Sequence, residues 1–135
     1  MEEKSTKPFW KATASIRISH SNLDPDKLSQ ALNVVPSIAF RPGESKVAHG
    51  SCKSAGYLCI DFEVEAPDRP DRLFHLVEDF ILQRKSLVED LIRNGYAINV
   101  YIAIFSNILA FGFDLPATPT IWKLGITTGI EYFSK

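Results

Sequence analysis

The sequence predicts an α+β domain in which a mainly antiparallel sheet carries helices on one face. Three observations lead there. Several segments alternate apolar and polar residues with the two-residue period of a half-buried strand, two others carry helical stripes with capping residues, and the two kinds of segment interleave along the chain. At 135 residues the chain fits one domain spanning 1–135. Such a domain buries about two thirds of its unfolded surface without help from metals or disulfides. Residues 1 to 8 read as a flexible tail.

"ATASIRIS", residues 12 to 19, sets Ala12, Ala14, Ile16 and Ile18 against Thr13, Ser15, Arg17 and Ser19, which is a strand. "NLDPDKLSQALNVVP" then starts and stops a short helix. Asp24 is placed to accept from orphan backbone N–H groups, Pro25 needs no amide partner at the first helical position, and Asp26 suits the positive end of the helix dipole. Leu23 and Leu28 have the spacing of a hydrophobic staple. Leu28, Ala31 and Leu32 form the apolar stripe, Asn33 fits a left-handed cap, and Pro36 forbids continuation. So short a helix is unstable alone and must dock.

"SIAFR" and "YLCIDFEVE" read as two strands of a hairpin around the polar, glycine-flanked segment 41–56. In the second of these, Leu58, Ile60, Phe62 and Val64 face one way, and Tyr57, Cys59, Asp61, Glu63 and Glu65 the other. "APDRPD" opens a long helix over 71 to 94, closed by Asn94 and Gly95, whose buried stripe is Leu73, Leu76, Val77, Phe80, Leu87 and Leu91. Arg84 interrupts that stripe. Its methylenes are expected to cover the core while the guanidinium reaches solvent, with a buried ion pair or a binding role as the other reading.

"AINVYIAIF" is a strand with Ile98, Val100, Ile102 and Ile104 on one face and Asn99, Tyr101, Ala103 and Phe105 on the other. "AFGFDL" reads as a further strand with a bulge or close approach at Gly112, Thr118 and Pro119 open one short helix, and "GIEYFS" is a final strand. The first six elements match a ferredoxin-like β-α-β-β-α-β core. The further strand, short helix and C-terminal strand extend it.

Composition excludes some classes of function. A net charge of −1 gives no electrostatic reason to expect nucleic acid or an anionic membrane as partner. The N-terminus lacks the apolar run of a signal peptide, and no apolar run spans a bilayer, so a cytoplasmic location is expected. Cys52 and Cys59 belong to no CxxC or Cys/His set and are expected to be reduced thiols, so no metal is implied.

The stretch "LDPDKLSQALNVVP" after an alternating first strand, "RPGE" with "GY" before the third strand, and the ending "FGFDLP…LGITTGIEYF" resemble an uncharacterised, mostly bacterial family, number 4279 among the domains of unknown function. The resemblance covers nearly the whole chain. It supplies no catalytic residues. What it implies is an immunity or partner-binding protein near toxin genes.

Chemistry-bearing patterns are sparse. Asp61, Glu63 and Glu65 form an acidic row that reads first as a solvated sheet face and second as a surface for a basic partner or a cation. "HLVED" places His75 and Asp79 one helical turn apart, a surface pair and not the HExxH of a zinc protease. No catalytic residue, cofactor or metal site is assigned. Arg41, Lys46, His49 and Lys53 sit in the 41–56 loop, which is either used for binding or disordered.

The opposite sheet face gathers Arg17, Tyr57, Tyr101 and Phe105, which suit an interface, although a covering strand or tail would make them core. The expected function is non-enzymatic protein binding through Arg17, Arg41, His49, Lys53, Tyr57, Asp61, Glu63, Tyr101 and Phe105, with toxin immunity as its concrete form. A small-molecule binder or hydrolase with Arg41, His49, Tyr57 and Tyr101 around a pocket is the rival reading. A self-associating structural domain is the third.

Overall fold

Strand β1 (Trp10–His20) is the central strand of the sheet, with two strands on either side of it. The computed structural model describes residues 9–44, 55–107, 121 and 123–134. In it β1 pairs antiparallel with β3 (Gly56–Glu65) from Lys11–Glu65 to His20–Gly56, and with β4 (Ala97–Ser106) from Trp10–Ser106 to Ser19–Ala97. β2 (Ile38–Phe40) joins the outer edge of β3 antiparallel, completing the expected hairpin. β5 (Thr127–Ser134) lies parallel to β4, which gives the order β2-β3-β1-β4-β5.

Buried and half-buried residues alternate along β1 because successive side chains leave opposite faces of a strand. Ala12, Ala14, Ile16 and Ile18 meet the apolar faces of β3 and β4 in one core, closed by Leu28 and Leu32 from one helix and by Leu73, Val77, Ile81, Val88 and Leu91 from the helical segment after β3. Helices therefore cover one face. Among the described residues the fold is α+β with a mixed five-stranded sheet and three helices of eight residues or more. The fifth strand and its parallel pairing make it more than a simple ferredoxin-like arrangement.

Helix α1 (Pro25–Leu32) is bounded as its sequence requires. The Asp24 carboxylate accepts from the backbone N–H groups of Asp26 at 3.1 Å and Lys27 at 3.3 Å, and Asn33 turns left-handed at φ 56°. Leu23 and Leu28 are both buried, as a staple needs. The junction with β3 is tight. A Cβ on Gly56 would lie 2.7 Å from the Leu23 carbonyl oxygen.

The long helix expected over 71 to 94 is instead two, α2 (Asp71–Gln83) and α3 (Lys85–Arg93), broken at Arg84 with φ −120° and ψ 25°. At the break the Arg84 N–H bonds Ile81 O, and its side chain fills the Phe80 carbonyl that a continuous helix would have given to its backbone. Nε donates to Leu32 O at 2.6 Å, the guanidinium carbon lies 3.8 Å from the Phe80 ring centre, and among the described residues no carboxylate pairs with it. So the Arg84 guanidinium, half-buried, is held by two backbone carbonyls and a ring, and by no ion pair among the described residues. It serves one C-terminal carbonyl of α1, that of Leu32, in a helix whose own last turn holds no basic residue. The break also moves the buried stripe to Leu73, Val77, Ile81, Val88 and Leu91, leaving Leu76, Phe80 and Leu87 only partly buried. Gly95, at φ 86°, closes α3.

Ile121 and Lys123 are helical where the short helix is expected. The tail at 1–8, the 45–54 part of the loop with His49, Cys52 and Lys53, the strand expected at 110–115 with Gly112, and the cap at Thr118–Pro119 lie outside the described residues.

Candidate functional site

Side chains that leave β1 away from the helices are Lys11, Thr13, Ser15, Arg17 and Ser19, and register fixes their neighbours. Cys59 and Asn99 flank Arg17, Asp61 and Tyr101 flank Ser15, Glu63 and Ala103 flank Thr13, and Glu65 and Phe105 flank Lys11. β5 continues these rows with Gly129 beside Tyr101, Glu131 beside Ala103 and Phe133 beside Phe105. β2 adds Ile38 and Phe40 beside Cys59 and Tyr57.

Three ring contacts cross this face. The Arg17 guanidinium carbon stands 4.4 Å from the Tyr101 ring centre, Phe40 stacks on Tyr57 at 5.3 Å between ring centres, and Phe105 stacks on Phe133 at 4.9 Å. Arg17, Tyr57, Tyr101 and Phe105 are all half-buried.

The acidic row is anchored at two of its three members. Ser15 Oγ donates to Asp61 at 2.7 Å, and Lys11 Nζ pairs with Glu63 at 2.8 Å. Exposed pairs of this kind add little stability, yet they fix the carboxylates in place. Between them Thr13, Ser15, Asp61, Phe62 and Glu63 line a shallow open depression of about 250 Å³.

Burial pushes the Tyr57 phenol up to about 12, with the neighbouring Cys59 sulfur acting in the same direction. Burial also raises the Cys59 thiol, which keeps it protonated and inert at neutral pH. A hydrogen bond to the Glu131 carboxylate raises the Tyr101 phenol, against the opposing pull of the Arg17 cation. None of these groups is poised as a base or nucleophile. Among the described residues no group of three His, Cys, Asp or Glu side chains could hold a metal, and no helix is long and apolar enough to cross a membrane.

Of the residues singled out in the sequence, Arg17, Tyr57, Asp61, Glu63, Tyr101 and Phe105 share this face. Arg41 does not. It folds back on the N-terminus of α1, pairing with Asp24 at 3.3 Å and Asp26 at 2.6 Å. His49 and Lys53 lie outside the described residues. His75 and Asp79 are both exposed on α2. Sequence reasoning missed Phe40, Glu131 and Phe133. Phe40 was legible in principle, since it stands in the hairpin opposite Tyr57, but Glu131 and Phe133 depend on a parallel pairing that strand patterns do not encode.

No family model, no curated protein and no solved structure matches this chain.

Proposed function

We propose that the chain is a non-enzymatic protein-binding module that holds its partner against the helix-free sheet face. The observation that carries the reading is the row of ring contacts, Phe40–Tyr57, Arg17–Tyr101 and Phe105–Phe133, laid across a face that no described helix covers. Rigid aromatics beside an arginine are the groups that dominate interface energies. Beside them stand four carboxylates, Asp61, Glu63, Glu65 and Glu131, against two cations, Lys11 and Arg17. A basic partner suits that balance. A cytoplasmic toxin-immunity protein of the kind suggested by the resemblance to family 4279 is the concrete form. On this reading β1–β4 with the helices are a ferredoxin-like unit to which β5 is an addition.

The test is binding to the product of the adjacent gene, measured by calorimetry. Tyr101→Ala and Phe105→Ala are each expected to weaken binding at least about tenfold. Neutralising Asp61, Glu63 and Glu65 together is expected to slow association at low salt and to matter less at high salt. Affinity and rates that ignore all of these changes would remove the proposal. A dose-dependent thermal stabilisation by one class of metabolite, without protein binding, would favour the small-molecule reading.

A further inference from the structure

We propose that Asn94–Gly95 is a deamidation site guarded by the cap of α3 and by His20, so that opening of this turn lets Asn94 pass irreversibly to aspartate and isoaspartate. Among the asparagines of the chain, Asn22, Asn33, Asn94, Asn99 and Asn107, only Asn94 precedes glycine; the others precede leucine, valine or isoleucine. A following side chain crowds its own amide nitrogen, whereas glycine leaves that nitrogen free to attack. Both Asn94 and Gly95 are exposed, so water reaches them.

The reaction needs only these two residues and water. The Gly95 nitrogen gives its proton to solvent and bonds to the side-chain carbonyl carbon of Asn94. The amide nitrogen on that carbon leaves as ammonia, taking a proton back from solvent, and a succinimide remains. One water then opens the ring. Cleavage at the side-chain carbonyl restores the ordinary backbone with aspartate at 94, and cleavage at the main-chain carbonyl leaves isoaspartate.

The fold withholds each reacting group. Gly95, at φ 86°, sends its N–H to Ile92 O at 3.0 Å, and Tyr96 sends its N–H to Leu91 O at 3.0 Å, the paired bonds of a Schellman cap. Asn94 Nδ2 donates to Asp90 O at 2.7 Å. Ring closure also requires Cβ of Asn94 to eclipse the Gly95 nitrogen about the Cα–C bond, and a ψ of 13° holds the two well apart. From the end of β1, His20 Nδ1 accepts from the Asn22 N–H at 2.9 Å, which leaves Nε2 to donate to Asn94 O at 3.1 Å. The same imidazole stacks on Tyr96 at 4.1 Å between ring centres. The glycine that fits the cap is thus also the one that makes Asn94 labile once the cap opens.

The product does not fit the place it came from. A carboxylate at 94 has no donor for Asp90 O and adds negative charge at the negative end of α3. Isoaspartate lengthens the main chain between α3 and β4 by one methylene, displacing the carbonyl that His20 holds. An opening that ends in reaction is therefore not undone by reclosing. This chemistry is independent of partner binding at the sheet face.

Peptide mass mapping of the full chain, aged in mildly alkaline buffer, tests it. The gain of one mass unit at Asn94 is expected to be at least about tenfold faster in guanidinium-unfolded than in folded chain, because the folded rate is scaled by the fraction of open turns. His20→Ala is expected to speed the change severalfold in the folded chain, with an unchanged circular dichroism spectrum. Equal folded and unfolded rates overturn the proposal, as does an unfolded chain in which Asn94 reacts no faster than Asn33. So does a folded His20→Ala chain that ages at the wild-type rate. If His20→Ala fails to fold, the wild-type comparison decides alone.

Discussion

Arg17 and Tyr101 touch along a diagonal. Arg17 is opposite Asn99 in the β1–β4 register, yet its guanidinium carbon lies 4.4 Å from the centre of the Tyr101 ring, one residue pair along the same face. Diagonal neighbours lie within reach of long and aromatic side chains, and the contact places a cation over a ring whose hydroxyl is bonded to Glu131 on the next strand. One phenol therefore links three strands.

That phenol reports on both neighbours. Glu131→Gln is expected to lower the Tyr101 ionisation toward its ordinary value, because an amide does not oppose the phenolate, and Arg17→Ala is expected to raise it further. The sign for stability follows from a folded value above the unfolded one. The contribution is complete below about pH 10 and is lost as pH rises through the raised value. Ultraviolet titration of the tyrosines checks it, with Tyr57 serving as the internal marker near 12. If Glu131→Gln leaves every tyrosine unmoved, the bond is not made in solution.

Arg84→Ala is expected to cost about 1–3 kcal/mol in urea unfolding, since it strips the carbonyls of Leu32 and Phe80 of their donors at a partly buried site. Arg84→Lys should restore little of this, because an ammonium lacks the planar fork that serves two carbonyls and covers a ring. Full rescue by lysine would reduce the role of Arg84 to charge alone.

Gly56→Ala tests the close approach between β3 and the turn before α1. The added methyl would meet Leu23 O at 2.7 Å and Leu23 Cβ at 2.9 Å, both belonging to a buried residue that cannot yield freely. A loss of about 1–3 kcal/mol is expected, the usual result of overpacking. A neutral alanine would mean that this turn relaxes easily.

Asp24 gives the acid side. Its carboxyl is held below its ordinary value first by the backbone N–H of Lys27, with further help from Arg41 and the N–H of Asp26. Its stabilisation is thus complete above about pH 4 and is lost as pH falls through the lowered value. Asp24→Asn keeps a capping oxygen, so thermal melts should show it close to wild type near neutrality and less sensitive to acid, whereas Asp24→Ala melts lower throughout.

Local rules made much of this readable. Asp24, Pro25 and Asn33 bound α1 because capping depends on residues within one turn, and alternation placed β1, β3 and β4 because one side of each strand is buried. The break at Arg84 was not readable. It depends on the Leu32 carbonyl, 52 positions away, a tertiary partner that overrides helical propensity. For the same reason Arg41 looked like a loop cation open to a ligand, since nothing local announces its pairing with Asp24 and Asp26. The sheet face was half legible. Tyr57, Tyr101 and Phe105 follow from alternation, but Phe133 and Glu131 needed the direction and offset of β5.

The central place of β1 shapes how the chain is made. The strand is synthesised before both of its partners and must wait for β3 and then β4, the latter roughly 80 residues later. Until Ser106 has emerged, the Ala12-to-Ile18 strip has only half its bed. Pairing on the β4 side of β1 is therefore a late, non-local step of assembly, and a chaperone that shields extended apolar segments should raise the yield of native protein more than one that acts on collapsed globules.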